Sequence, residues 1–191
     1  MDTIDKFIML IEETKNKAFS AKTERELQKS IVEHAKKLGY RAIYEDILRI
    51  TLPYHQPLMD IVVEIGDYLH AAELKVMNIK NFKPFEGLDQ VLAYSLNGVD
   101  YSWLIHYVTF PLNTSSIRST DFIRFARYLK STSIFHTPVE NVLRTLRIKQ
   151  IGYMLIGAVG VRCIFKPIEP IEYDQNIKMR QEIKRILYLA Q

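Results

Sequence analysis

Gly66-Asp67 sits between two apolar, β-branched runs, Ile61 to Ile65 and Leu69 to Val76, and no other stretch restricts the folding of this chain so tightly. A two-residue connection with Gly at its first central position is what a type II′ hairpin turn requires, because that residue must adopt φ > 0. The turn fixes the register. Ile65 faces Tyr68, Val63 faces His70, and Asp60 comes to lie opposite Glu73, with directly opposed Cβ atoms ~5 Å apart. Side chains alternate along a strand, so Lys75 projects from the same face as Glu73.

Two carboxylates facing each other among Ile, Val and Leu repel, and the sheet needs something to compensate. A divalent cation is the simplest answer, since Mg²⁺ takes hard oxygen ligands, typically one or two carboxylates plus water and substrate phosphate. An ammonium beside that cation can hold an attacking water and stabilise charge developing on a phosphorus-bound oxygen. Asp60, Glu73 and Lys75 are therefore suited to hydrolysis of a phosphodiester.

Asp60, the Glu73-Leu74-Lys75 triplet, a helical acid upstream and Gln90-x-x-x-Tyr94 downstream resemble the PD-(D/E)XK nuclease superfamily, in its RecB-like branch with a QxxxY element. The resemblance covers about Thr23 to Leu96, and Met59 stands where the family's name has Pro. It implies an α/β fold of restriction-endonuclease-like type, a mixed central β-sheet flanked by helices. It also implies a metal-dependent DNA endonuclease that leaves 5′-phosphate ends. Asp60, Glu73 and the Leu74 carbonyl would bind Mg²⁺ or Mn²⁺, Glu24 would join directly or through water, and Lys75 would position or help deprotonate the attacking water. Gln90 and Tyr94 would line the active site and touch the nucleic acid, with Lys80 and Lys83 on backbone phosphate. The upstream acid matches best at Glu24, three residues ahead of Leu27; Glu26 is better explained as a capping partner, and Glu33 is a substitute further along. Three other readings stay open: a Holliday-junction resolvase acting as a homodimer, a catalytically silent nucleic-acid-binding module of the same fold, and a partner-binding subunit with no nucleic-acid role.

With 191 residues, 48% hydrophobic and 25% charged, the chain is expected to form a single domain with a sizeable core. No apolar run approaches a bilayer-spanning length, and Met-Asp-Thr-Ile-Asp-Lys lacks a signal peptide's order of basic then apolar residues, so a cytoplasmic protein without membrane association is expected. The single Cys163 excludes an internal disulfide and a four-cysteine zinc or iron–sulfur site, and no Walker A loop is present to bind a nucleotide cofactor. Net charge is +4, unevenly spread: from Arg118 onward thirteen basic residues face six acidic ones. Such a basic half beside an acidic site suits a phosphate-backbone partner, and it equally suits a solvated helical surface.

Helical spacing of Ile4, Phe7, Ile8, Leu10 and Ile11 predicts an amphipathic first helix ending near Lys17, and Thr23-x-x-Glu26 predicts a capped second helix that stops at Gly39. Tyr40 to Leu52 is expected to be a strand, followed by a connection marked by Pro53 and Pro57 that carries His55, a candidate substrate contact. A helix opened by Pro84 is expected to bury Leu88, Val91, Leu92 and Leu96 and to end at Asn97-Gly98. Tyr101 to Phe110 should return as a strand parallel to that of Glu73, with Trp103 and Tyr107 in the core. Over about 112–191 a basic elaboration is expected: a Ser/Thr-rich loop from Asn113 to Ser119, a helix near Asp121 to Lys130 presenting Arg124 and Arg127, and a helix capped at Thr137-Pro138 presenting Arg144 and Arg147. A strand or strand pair over Tyr153 to Phe165, interrupted at Gly157 or Gly160, and a last helix from about Gln175 burying Ile183, Leu187 and Ala190 complete it.

Overall fold

A computed structural model describes residues 1–20, 23–51, 58–78, 82–109, 138–157, 160–170 and 177–191. His55, Lys80, the loop at 113–119, the helix expected at 121–130 with Arg124 and Arg127, and the Thr137 cap lie outside the described residues.

The described chain is an α/β fold built on one six-stranded mixed sheet in sequential order. Helices α1 (Thr3–Ser20) and α2 (Glu24–Lys37) lead into β1 (Arg41–Tyr44), α3 (Glu45–Thr51), β2 (Ile61–Ile65) and β3 (Tyr68–Asn78). Then come α4 (Leu88–Tyr94), β4 (Tyr101–Thr109), α5 (Pro138–Thr145), β5 (Ile151–Gly157), β6 (Gly160–Phe165) and α6 (Ile177–Leu189). Strands β1, β2 and β3 pair antiparallel, β3, β4 and β5 pair parallel, and β6 closes antiparallel on β5. Among the described residues no helix is long and apolar enough to cross a membrane.

The hairpin register is the one that Gly66 dictates: Ile65 pairs with Tyr68, Val63 with His70 and Ile61 with Ala72. Gly66 takes φ 62° and Asp67 stays at negative φ, the sign pattern of a type II′ turn. α2 starts as its capping box predicts, with the Thr23 hydroxyl accepting the Glu26 N–H at 3.1 Å. The expected strand over Tyr40 to Leu52 is corrected: only Arg41 to Tyr44 pair with β2, and Glu45 onward coils into α3. Acids at 45 and 46 favour a helix first turn, and Arg49 reaches back one turn to Glu45. These local preferences outweigh the loose alternation of Ile47 and Leu48.

The parity of the strands separates two cores. One face carries Ile61, Val63, Ala72, Trp103 and Ile105 and is covered by Phe7, Leu10, Leu27 and Ile31 of α1 and α2. The other carries Val62, Ala71, Leu104, Tyr153 and Leu155 and is covered by α4, α5 and α6 through Val91, Tyr94, Val139, Leu143, Ile183 and Leu187. Leu92 and Leu96 do not join this stripe, being 36% and 69% exposed, and Tyr94 is buried in their place. The short seven-residue α4 presents Val91 and Tyr94 three apart, so the opposite side of the helix faces out. Ala190, expected inside, is half-buried, and Ile186 is buried instead.

The first core is tight around one ring. A Cβ built on Gly152 of β5 would stand 2.3 Å from Trp103, so Gly152→Ala should destabilise the protein by at least about 1–3 kcal/mol in denaturant unfolding. Beside Trp103, His70 is fully buried, stacks on Phe7 with ring centroids 5.0 Å apart and accepts the indole N–H at 3.2 Å; burial lowers its pKa to about 3. The unfolded chain takes up a proton on this imidazole below its ordinary 6.5 while the folded chain does not, so His70 should erode stability as pH falls from about 6.5 toward 3. Stability measured across that window should slope less steeply in His70→Gln than in the wild type, by up to roughly 1.4 kcal/mol per pH unit.

Candidate active site

Asp60 lies at the entry to β2, on the parity that carries it to Glu73 across the hairpin, and both are buried, at 7% and 1% exposed. Each Asp60 oxygen accepts one hydrogen bond, Oδ2 from the Leu74 N–H and Oδ1 from the Gln28 amide, both at 2.7 Å. Glu73 Oε1 stands 2.5 Å from the Lys75 ammonium as an ion pair without a hydrogen bond's alignment. The Tyr94 hydroxyl lies between Glu73 Oε2 and the Leu58 carbonyl, 2.9 Å from the latter. Glu24, at the first turn of α2, accepts the Val76 N–H at 3.1 Å. Asp60, Glu73, Lys75, Glu24 and Tyr94 are thus brought together by two strands and two helices.

Burial raises the Asp60 pKa to about 8, with the Glu73 charge adding to it and the Leu74 N–H and Lys75 opposing it. Burial also raises Glu73, against the contacts with Lys75 and Tyr94. For Lys75 burial works against the ammonium, but Glu73, helped by Glu24 and Asp60, outweighs it and raises the pKa. The cluster therefore resists holding two bare carboxylates and keeps its amine charged.

Tyr94 is fully buried and its pKa is raised by burial and by Glu73, so its part in this geometry is to hold Glu73 rather than to meet a polymer. Gln90, one turn earlier, is half-buried, and Lys83 is exposed in an i, i+3 pair with Glu86 at 3.6 Å. Glu26 and Glu33 are exposed on α2, which leaves Glu24 as the acid of that helix that reaches the site. Among the described residues of the C-terminal half, most of the basic side chains are engaged within the molecule: Arg144 pairs with Glu140, Lys149 with Glu169, Lys166 with Asp5, Arg180 with Asp100, Lys184 with Glu64 and Arg185 with Glu182.

Three contributors escape a reading of the sequence. Gln28 is buried and ties α2 to Asp60; its one signal is the four-residue spacing from Glu24, which puts both on one side of the helix. His106, beside Lys75 in the β3–β4 register, donates from Nε2 to the Glu86 carbonyl at 2.9 Å and accepts from the Tyr153 hydroxyl at 3.1 Å. A carbonyl only accepts, so the proton sits on Nε2, and burial lowers the pKa to about 4, leaving the ring neutral. Gly87 follows Glu86 at φ 84°, so close to the site that an added Cβ would stand 2.9 Å from Glu73 Cγ and 3.2 Å from Lys75 Cε. The turn held by His106 is what presses α4 onto Glu73 and Lys75.

Among the described residues no three His, Cys, Asp or Glu side chains gather closely enough to ligate one ion. Two carboxylates with a backbone carbonyl form a hard oxygen donor set of the kind that Mg²⁺ accepts while keeping water and phosphate as its other ligands. No family model, curated protein or solved structure matches the chain.

Gly39 and Gly87 provide a controlled comparison, because both hold φ near +84° but an added Cβ meets nothing within 4 Å at Gly39. Gly39→Ala should cost only the backbone strain, about 1–2 kcal/mol, while Gly87→Ala should cost at least about 1 kcal/mol more in denaturant unfolding. Equal costs would mean that the turn does not press on the Glu73–Lys75 pair.

Proposed function

We propose that this protein is a Mg²⁺- or Mn²⁺-dependent DNA endonuclease of the PD-(D/E)XK type, with a restriction-endonuclease-like fold. One observation carries the reading: a buried pair of opposed acids, Asp60 and Glu73, with the Lys75 ammonium against the second, at the junction of an antiparallel hairpin and a capped helix. Asp60, Glu73 and the Leu74 carbonyl would hold the cation, with Glu24 beside them. The donor chemistry fits, because both are held above the ordinary carboxylate range, Asp60 by burial and the Glu73 charge and Glu73 by burial and the Glu24 charge, the stress that a cation relieves. Bound there, the cation supplies charge stabilisation at phosphorus and an activated water.

The chain's own residues do the rest. Gln28 and the Leu74 N–H orient Asp60, and Tyr94 orients Glu73. Lys75 is kept protonated, so its part is electrostatic: it holds a water or a phosphate oxygen and opposes negative charge as it develops. The turn at Glu86-Gly87 covers the acid–amine pair and limits water around it.

Asp60→Asn and Lys75→Ala test the assignment. Gln28 can turn its amide to accept from Asn at position 60 while Leu74 still donates to the remaining oxygen, so Asp60→Asn should fold at least as stably as wild type without metal. Both variants should lose more than about 100-fold in cleavage of a panel of duplex, branched and single-stranded DNA with Mn²⁺. Full activity in both would overturn the site; salt-sensitive DNA binding by the wild type without cleavage or Mn²⁺ uptake would reassign the protein as a silent binding module.

A further inference from the structure

Beside Asp60 the structure opens a cleft of about 480 Å³, walled by Arg25 and Gln28 of α2 and by Glu45, Asp46 and Arg49 of α3. Glu24 and Asp60 also line it, so two of the three carboxylates of the candidate site face the cleft directly. Its two arginines are occupied by the two acids of α3. Arg25 places both Nε, at 2.8 Å, and Nη2 on the single oxygen Asp46 Oδ2, and Arg49 reaches Glu45 Oε1 through Nη2 alone.

Neither pairing uses the guanidinium well. The planar fork of Arg matches two oxygens side by side, as a phosphodiester presents them, and one shared carboxylate oxygen leaves that match unmade. Both arginines are also mostly exposed, at 65% and 64%, and exposed ion pairs of this kind contribute little to stability. They can be exchanged at low cost. Arg25 comes directly after Glu24 on α2 and Arg49 lies one turn from Glu45 on α3, so both guanidiniums are anchored on the helices that border Asp60.

We infer that this cleft between α2 and α3 is the seat of the nucleic-acid backbone, and that Arg25 and Arg49 are held on Asp46 and Glu45 until phosphate groups displace those acids. The inference rests on the nuclease reading and extends it to residues that the motif does not contain. The acids act as placeholders. Asp46 draws Arg25 across from α2 to α3 and Glu45 holds Arg49 along α3, and both discourage weaker anions, since an incoming group must outcompete a carboxylate already in place. With Asp60 and Glu24 and the two guanidiniums all in its lining, the cleft presents cation-binding and anion-binding groups together.

The exchange makes substitutions of paired partners act in opposite directions. Binding of labelled duplex and single-stranded DNA to the full chain, in Ca²⁺ and at several salt concentrations, reads this out by fluorescence anisotropy. Arg25→Gln and Arg49→Gln should each weaken binding about fivefold to tenfold and reduce the salt slope by about one charge. Asp46→Asn and Glu45→Gln should tighten binding, by about twofold to fivefold, because they release the arginines without removing them. All four positions are exposed or half-buried, so the variants should unfold in denaturant near the wild type. If the wild type binds DNA and the arginine variants bind it equally well, or if the acid variants weaken it as much as the arginine variants do, the cleft assignment fails while the nuclease reading stands. If the wild type binds no DNA at all, both fail.

Discussion

The positive φ of Gly66 governs the whole arrangement, because it decides the parity of two strands at once. A connection one residue longer or shorter would shift the pairing by one and carry every side chain of β3 to the other face. Glu73 and Lys75 would then be exchanged with Ala72 and Leu74, and the face now packed on α1 and α2 would hold a charge cluster. The hydrophobic effect protects this choice. With Val63, Ile65 and Ala72 fully buried against α1 and α2, slipping the register would expose a run of apolar surface whose burial contributes about 1.5–3 kcal/mol per large side chain.

Within that register the molecule tolerates an arrangement that costs stability. Asp60 and Glu73 are buried with carboxyls held above their ordinary range, and different neighbours hold each: hydrogen bonds from Leu74 and Gln28 for one, the Lys75 ion pair and the Tyr94 hydroxyl for the other. Packed aliphatic side chains at the same positions would be the more stable solution in isolation, as buried ion pairs commonly gain little over apolar replacements. Keeping acids there, beside an amine whose charged form Glu73 favours, is the pattern expected of a group with chemistry to perform.

What the sequence disclosed follows from how local each signal is. The hairpin, the Asp60–Glu73–Lys75 face, the Thr23 cap, the β4 core residues Trp103 and Tyr107, and the strand break between Gly157 and Gly160 all follow from turn chemistry, alternation or capping within a few residues. The helix at Glu45 to Thr51 escaped because apolar residues at 47, 48 and 50 suit a short strand as well as a helix, and only the first-turn acids and the Arg49 pairing separate the two. Gln28, His106 and Gly87 were invisible for a different reason: their importance arises from what lies opposite them after folding, at separations of 32 residues for Gln28 to Asp60 and 47 for His106 to Tyr153. The basic excess of the C-terminal half was visible, but its partners were not, and most of the described cations meet acids of their own chain.

The Tyr153 hydroxyl on β5, the His106 ring on β4 and the Glu86 carbonyl form a continuous tether that crosses from the distal strands to the turn over Glu73. The motif-bearing part of the chain ends before any of β4 or β5 has been made. A fragment trimmed to that part would keep the acids and the lysine yet lose the strut that seats the turn upon them, along with the parallel strands that give β3 its second neighbour. Among the described residues, the acid–amine cluster is therefore braced from the side of the sheet that bears no motif.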